Sequence, residues 1–120
     1  MLSKAFRLSK DRDFKKVFKS SKPFYCGNLI LRYSNSPKSI INNQKPRIGF
    51  IVSNKIDKRA TKRNELKRKM RSVVFLLLPK IKQGYDIIFT VSRNFQYPYQ
   101  YFEIEKEMIN ILKKADLLYD

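Results

Sequence analysis

A small α/β sandwich of the α+β kind, a single domain over residues 1–120 in the order α-β-β-α-β-α, is the fold this sequence predicts. Three observations predict it. Apolar residues recur at helical spacing in three segments, and three other runs are rich in β-branched and aromatic residues. The stretch from Ile48 to Val91 reads strand, helix, strand, which makes a βαβ unit whose two strands should be parallel. Finally, 120 residues suffice for one core of moderate size, and no internal repeat or linker divides them.

The first helix opens at Leu8-Ser9-Lys10-Asp11, with Ser9 placed to cap it and acidic residues in its first turn. Phe14, Val17 and Phe18 supply its apolar face, and Pro23 ends it. Phe24 to Tyr33 reads as one strand, with Leu29, Leu31 and Tyr33 on one face and Ile30 and Arg32 on the other. Ser34 to Lys45 is polar, carries Pro37, and reads as a mobile loop. Pro46 to Ser53 is a second strand, apolar enough to be central. A basic helix follows from Ala60 to Leu78, with Pro79 as its stop, then a third strand from Tyr85 to Val91. The last helix, Tyr99 to Leu112, carries Phe102, Ile104, Met108, Ile109 and Leu112.

Charge and inventory narrow the function. Lys and Arg number 27 against ten acidic residues, and the excess runs from Lys4 to Lys114, so it belongs to the folded body and points to a polyanion. A membrane surface fits less well. No Lys/Arg run flanks a long apolar segment, and no stretch approaches the roughly 18 apolar residues that span a bilayer. The first seven residues lack an apolar signal core, so a cytoplasmic location is expected, and the lone Cys26 suits a reducing compartment. There is no His, one Cys cannot build a zinc site, and Glu103, Glu105 and Glu107 sit on an amphipathic helix rather than in a two-metal pattern. No glycine-rich phosphate loop is present. No catalytic residue and no metal ligand is therefore assigned to the protein.

The basic helix is the sharpest feature. With Leu66 at zero on a helical wheel, Met70, Val73 and Leu77 fall within about 40° of it and form a core stripe. Arg63, Asn64, Lys67, Arg68 and Arg71 fill a separate sector from roughly 60° to 200°, where like charges repel unless a partner neutralises them. Solvated faces usually mix signs, yet Lys55 to Ser72 holds nine Lys/Arg and two acidic residues. Arg63, Lys67 and Arg71 step along the helix by about 5–6 Å, close to a phosphate repeat. Asn64 can donate to or accept from a 2′-hydroxyl or a base edge. By itself the pattern says polynucleotide without naming which.

Arg59-Ala60-x-x-Arg63-Asn64-x-x-Lys67-Arg68-x-x-Arg71, preceded by Pro46-Arg47-Ile48-Gly49 and Ser53-Asn54-Lys55, resembles the protein subunit of bacterial ribonuclease P. Asp13-Phe14-x-x-Val17-Phe18 matches that family's first helix, and the element order agrees over nearly the whole chain. The resemblance implies a ribonucleoprotein endonuclease that removes the 5′ leader of precursor tRNA, with the hydrolysis and its Mg²⁺ held by the RNA subunit. It implies that Arg59, Arg63, Asn64, Lys67, Arg68 and Arg71 contact the catalytic RNA near the cleavage site. Phe14, Phe18, Arg32 and Lys55 would line a cleft for the single-stranded leader, where aromatics and cations suit sequence-tolerant binding. The implied partners are ribonuclease P RNA and precursor tRNA, not DNA and not a membrane. It also implies a left-handed βαβ crossover, against the usual right-handed rule.

Alternatives stand beside these readings. Phe14 and Phe18, spaced i,i+4, equally suit plain core packing. Three positions depart from the family pattern: Glu65 stands for an Arg but lies near 260° on the wheel, roughly outside the basic sector; Asn54 stands for a common Lys; and Arg32 takes a strand position that is aromatic in some members. Asp57 lowers the charge just before the basic run. A ribosomal or other structural RNA-binding protein would share the charge without needing the cleft, and a self-sufficient nuclease would cleave precursor tRNA without any RNA subunit.

Overall fold

The computed structural model describes residues 7–8, 11–35, 46–92, 95 and 97–119. The expected Ser9 cap and residues 36–45 of the expected loop lie outside them. The elements are α1 (Asp11–Ser20), β1 (Phe24–Cys26), β2 (Leu29–Asn35), β3 (Arg47–Ile51), α2 (Ala60–Leu77), a 3-10 turn (Leu78–Lys80), β4 (Tyr85–Val91) and α3 (Tyr101–Lys114). Asp11 and Asp13 in the first turn of α1 and Lys19 in its last complement the helix dipole.

One four-stranded sheet runs β1-β2-β4-β3. β2 is antiparallel to both β1 and β4, and β3 is parallel to β4. The βαβ unit therefore forms as its pattern predicts. The expected single strand over Phe24 to Tyr33 is instead a hairpin, so the sheet has four strands where three are read from sequence. Its break is Gly27, at φ 59°, a left-handed conformation that glycine adopts without steric cost. The turn is held from outside: Glu107 Oε1 of α3 accepts from the Asn28 amide N–H at 3.0 Å and from its side-chain Nδ2 at 3.2 Å. A Cβ at Gly27 would collide with that carboxylate. The Gly27-Asn28 pair between two apolar runs is a two-residue hairpin signal in its own right, which a single-strand reading passes over.

β3 is likewise not central. It is the sheet edge, met on its outer side by a parallel bridge from Arg7 to Ile48 and by the Leu8 N–H donating to Ile48 O at 2.9 Å. Its apolar character comes from burial of both faces by helices. The last helix starts two residues later than its periodicity predicts, because Tyr99 is a core side chain, 1% exposed, on the approach to the helix.

Alternation along the strands sorts the two faces. Leu29, Leu31, Ile48, Ile87 and Phe89 meet Leu66, Met70, Val73 and Val74 of α2 and Ile104, Met108, Ile111 and Leu112 of α3 in the main core. Burial of these side chains is the dominant stabilising term. The opposite face carries α1, through a smaller cluster of Leu8, Val17 and Ile88 with Phe14 and Ile51 packed on it. Registered pairing lays that face out in three rows: Ser34–Asp86–Arg47, Arg32–Ile88–Gly49 and Ile30–Thr90–Ile51.

Candidate nucleic-acid interface

The α1 face is built around what Gly49 leaves open. A Cβ there would meet Phe14 Cζ at 2.6 Å and Cε1 at 2.8 Å, so the missing side chain is what lets the Phe14 ring lie on β3. Phe14 is half-buried and belongs to the packing under α1. Phe18, one turn on, is 40% exposed. The Arg32 guanidinium stacks on its ring at 4.8 Å and donates through Nη1 to Ser21 O at 3.3 Å. The structure thus divides the two phenylalanines: one is floor and packing, the other presents a ring and a cation together.

Beyond Phe18 and Arg32, the row of Ile30, Thr90 and Ile51 is half-buried. Lys55 is exposed in the turn that follows β3, at that end of the sheet, and makes no polar contact with Phe18 or Arg32.

At the opposite end a buried ion cluster fixes α1 to the sheet. Arg47 pairs bidentately with Asp86 (Nε–Oδ1 2.9 Å, Nη2–Oδ2 2.7 Å) and reaches Asp13 of α1 at 3.3 Å. The Asp86 hydrogen bond is the main cause that raises the Arg47 pKa above its ordinary value, against its burial. Sequence reading passed over this cluster. Its only local sign is an arginine inside an otherwise apolar strand, which in a folded sheet requires buried acids.

The basic helix lies on the main-core side, at the β3 edge. Its cations divide into two groups. Arg63 donates through Nη1 to the carbonyls of Asp57 (2.8 Å) and Lys58 (3.1 Å), stitching the preceding loop to the helix. Arg59 is locked onto Asp57 (Nε–Oδ1 3.0 Å, Nη2–Oδ2 2.9 Å), so the acid before the basic run neutralises the cation read as its first contact. Lys69 donates to Tyr99 O at 2.6 Å and pairs with Glu65 at 3.6 Å. Glu65 thus faces residues 97–100, away from the basic sector. By contrast Asn64, Lys67, Arg68 and Arg71 donate to no partner among the described residues. Burial, then the nearby Arg7, pulls the Arg71 pKa below its ordinary value. Arg7 and Arg71 line a cavity of about 190 Å³ with Leu8, Ile48, Gly49 and Phe50. Around the β3 edge it joins the basic helix to the face that carries α1.

Tyr99 donates its hydroxyl to Asp57 Oδ2 at 3.1 Å. Burial, and then this bond, push its phenol up to about 12. Hydrogen bonds from Arg59 hold the Asp57 carboxyl well below the usual carboxylate range. The signs follow from linkage. The Asp57 contribution to stability is complete above the ordinary carboxylate pKa, near about 4, and is lost as pH falls toward its folded value. The Tyr99 contribution is complete below about 10 and is lost as pH rises through the folded value. Asp57→Asn is therefore expected to destabilise the chain at neutral pH by a margin that shrinks as the pH falls below about 4. Urea unfolding across a pH series measures it; a margin independent of pH would remove the carboxylate from the account.

A profile of the family described as Ribonuclease P matches residues 2–116, nearly the whole chain. The chain belongs to the ribonuclease P protein family. It is 32% identical to the ribonuclease P protein component of Cyanothece sp. over 99% of this chain and 98% of that one. Against the component of Alkaliphilus oremlandii the identity is 38%, over 93% and 92%. The ribonuclease P protein of Staphylococcus aureus has the same fold, with a TM-score of 0.82 at 23% identity, covering 97% of this chain and 100% of that one. In this member of the family, no three His, Cys, Asp or Glu side chains gather to hold a metal among the described residues. No helix among the described residues is long and apolar enough to cross a membrane.

Proposed function

We propose that this chain is the protein component of a ribonuclease P that matures the 5′ end of tRNA, binding both the catalytic RNA and the leader of precursor tRNA. The observation that supports it is the division of cations on α2. Arg59, Arg63 and Lys69 are tied to acceptors of the protein itself, while Lys67, Arg68 and Arg71, with Asn64 among them, are left on one face of a chain of charge +17. Unneutralised cations at one-turn spacing suit successive phosphates. In this reading Lys67, Arg68, Arg71 and Asn64 carry the contact to the RNA subunit. Arg59 and Arg63 shape the helix entry and contribute less charge than their place in the motif implies.

The leader takes the α1 face. Phe18 offers a base a ring to stack on, Arg32 sets a cation beside it, and Lys55 lies at the end of the path for a phosphate. The hydrolysis belongs to the RNA subunit and its Mg²⁺, and the protein acts by lowering repulsion between two RNAs and holding the leader.

Reconstitution tests the reading. The chain added to a bacterial ribonuclease P RNA at low Mg²⁺ should restore leader removal and favour precursor over mature tRNA. No stimulation, or equal affinity for both tRNAs, would return the chain to the class of structural RNA-binding proteins. Cleavage by the chain alone would overturn the assignment of the chemistry.

The two phenylalanines give a sharper test. Phe18→Ala should cost leader affinity about 1–3 kcal/mol with little loss of stability, since the ring is exposed. Phe14→Ala should instead cost about 2 kcal/mol of folding stability, because its ring packs on Gly49 and the Leu8 cluster. Affinity and urea unfolding of each variant separate the roles, and the reverse pattern would exchange them.

A further inference from the structure

Beside the N-terminus of α2 stands an aromatic group that neither the basic motif nor the α1 cleft uses. Tyr97 is 44% exposed and takes no part in the main core. Even so, it is held on several sides. Its ring meets the buried Tyr99 edge-to-face, with centroids 5.4 Å apart. The Arg59 guanidinium lies 4.8 Å from its centroid and Lys62 Nζ 4.6 Å. Lys62 also donates to the Tyr97 hydroxyl at 3.1 Å. Asp57 fixes the assembly from beneath, gripping Arg59 with both carboxylate oxygens and accepting from Tyr99.

Folding alone gives no reason to immobilise a ring and two cations at the surface. The ring buries little, and exposed cation–π pairs contribute only about 0.5–1 kcal/mol. What the arrangement does supply is a flat surface whose ordering cost is already met, with positive charge at its border. Unpaired nucleobases bind such surfaces, because every base has a π-face and each is joined to a phosphate.

We infer that Tyr97, with Arg59 stacked on it and Lys62 at its hydroxyl, is a platform for one unpaired base of the RNA subunit, extending the contact surface of α2 onto residues 97–100. The inference rests on the RNA-binding reading above. It also gives the Asp57–Arg59 pair a purpose: Arg59 loses net charge to Asp57 but gains a fixed plane.

Affinity of the full chain for a bacterial ribonuclease P RNA tests this, with thermal melts of each variant and Arg68→Ala as reference. Tyr97→Ala and Tyr97→Leu should bind about 5- to 100-fold more weakly, while Tyr97→Phe, which keeps the ring, should bind like the wild type. On a fully paired RNA duplex, Tyr97→Ala should match the wild type and Arg68→Ala should still be weakened. Two results overturn the platform while sparing the RNA reading: Tyr97→Ala and Tyr97→Leu at wild-type affinity with Arg68→Ala weakened, or an equal Tyr97→Ala loss on duplex RNA. If Arg68→Ala is also silent, the RNA reading fails and the platform with it. Should Tyr97→Ala melt early, the Tyr97→Leu and Tyr97→Phe pair decides.

Discussion

Arg47→Ala should lower folding stability by about 3–5 kcal/mol, the largest effect expected of any single cation in this chain. The side chains of Arg47, Asp13 and Asp86 are only 15%, 8% and 5% exposed, so truncating the arginine takes the bidentate partner from Asp86 and one partner from Asp13 in a poorly solvated layer between α1 and the sheet. The cost is mainly that of leaving buried charge unpaired, since the intact pairs do little more than offset their own desolvation. Urea unfolding at neutral pH measures it. Because Asp86 is the closer partner, adding Asp86→Asn to Arg47→Ala should recover part of the loss. Strictly additive losses would show that the two side chains act separately. The same variant should loosen α1, the helix that carries Phe18, and so weaken the leader more than the RNA subunit.

The combined variant Lys67→Ala, Arg68→Ala, Arg71→Ala should change binding to the RNA subunit more than any other replacement. Each lost phosphate contact removes about 0.9 from the slope of log affinity against log salt if the RNA is duplex, and about 0.7 if single-stranded. Three contacts on duplex RNA make the deficit of the variant roughly 40-fold larger at about 50 mM than at about 200 mM salt. Folding should be little affected, since none of the three has a partner among the described residues that would be stranded. Titration of the RNA at several salt concentrations decides the matter: parallel salt lines for variant and wild type would take these residues out of the interface. Arg59→Ala should alter the slope much less, because Asp57 already neutralises it.

Much of this was legible in the chain. Helical spacing at Leu66, Met70 and Val73 placed α2 with its apolar stripe inward, and alternation from Leu29 to Tyr33 put Arg32 on the face that α1 covers. Both follow because periodicity is a local property, fixed by 3.6 residues per turn or two per pleat. Glu65 falls off the basic face for the same reason, and Lys69 takes it up.

What the sequence did not show depends on contacts between distant segments. The Gly27-Asn28 turn has its own local signal, but its anchor, Glu107, lies 80 positions on from Gly27 and accepts from the Asn28 N–H. β3 reads as central yet is an edge, because helices cover both its faces and hydropathy registers burial without registering which side pairs. Above all, sequence counts charges but not their partners. Arg59 and Arg68 belong to one motif and look equivalent in it. Only the fold sets Asp57 and Tyr97 against the first and leaves the second without a partner among the described residues. By itself the sequence determined the class of fold, the family and the cationic character of one helix face. The tertiary structure decided which of those cations the chain's own acceptors hold, because neutralisation requires an acceptor within a few ångströms, and only folding brings one there.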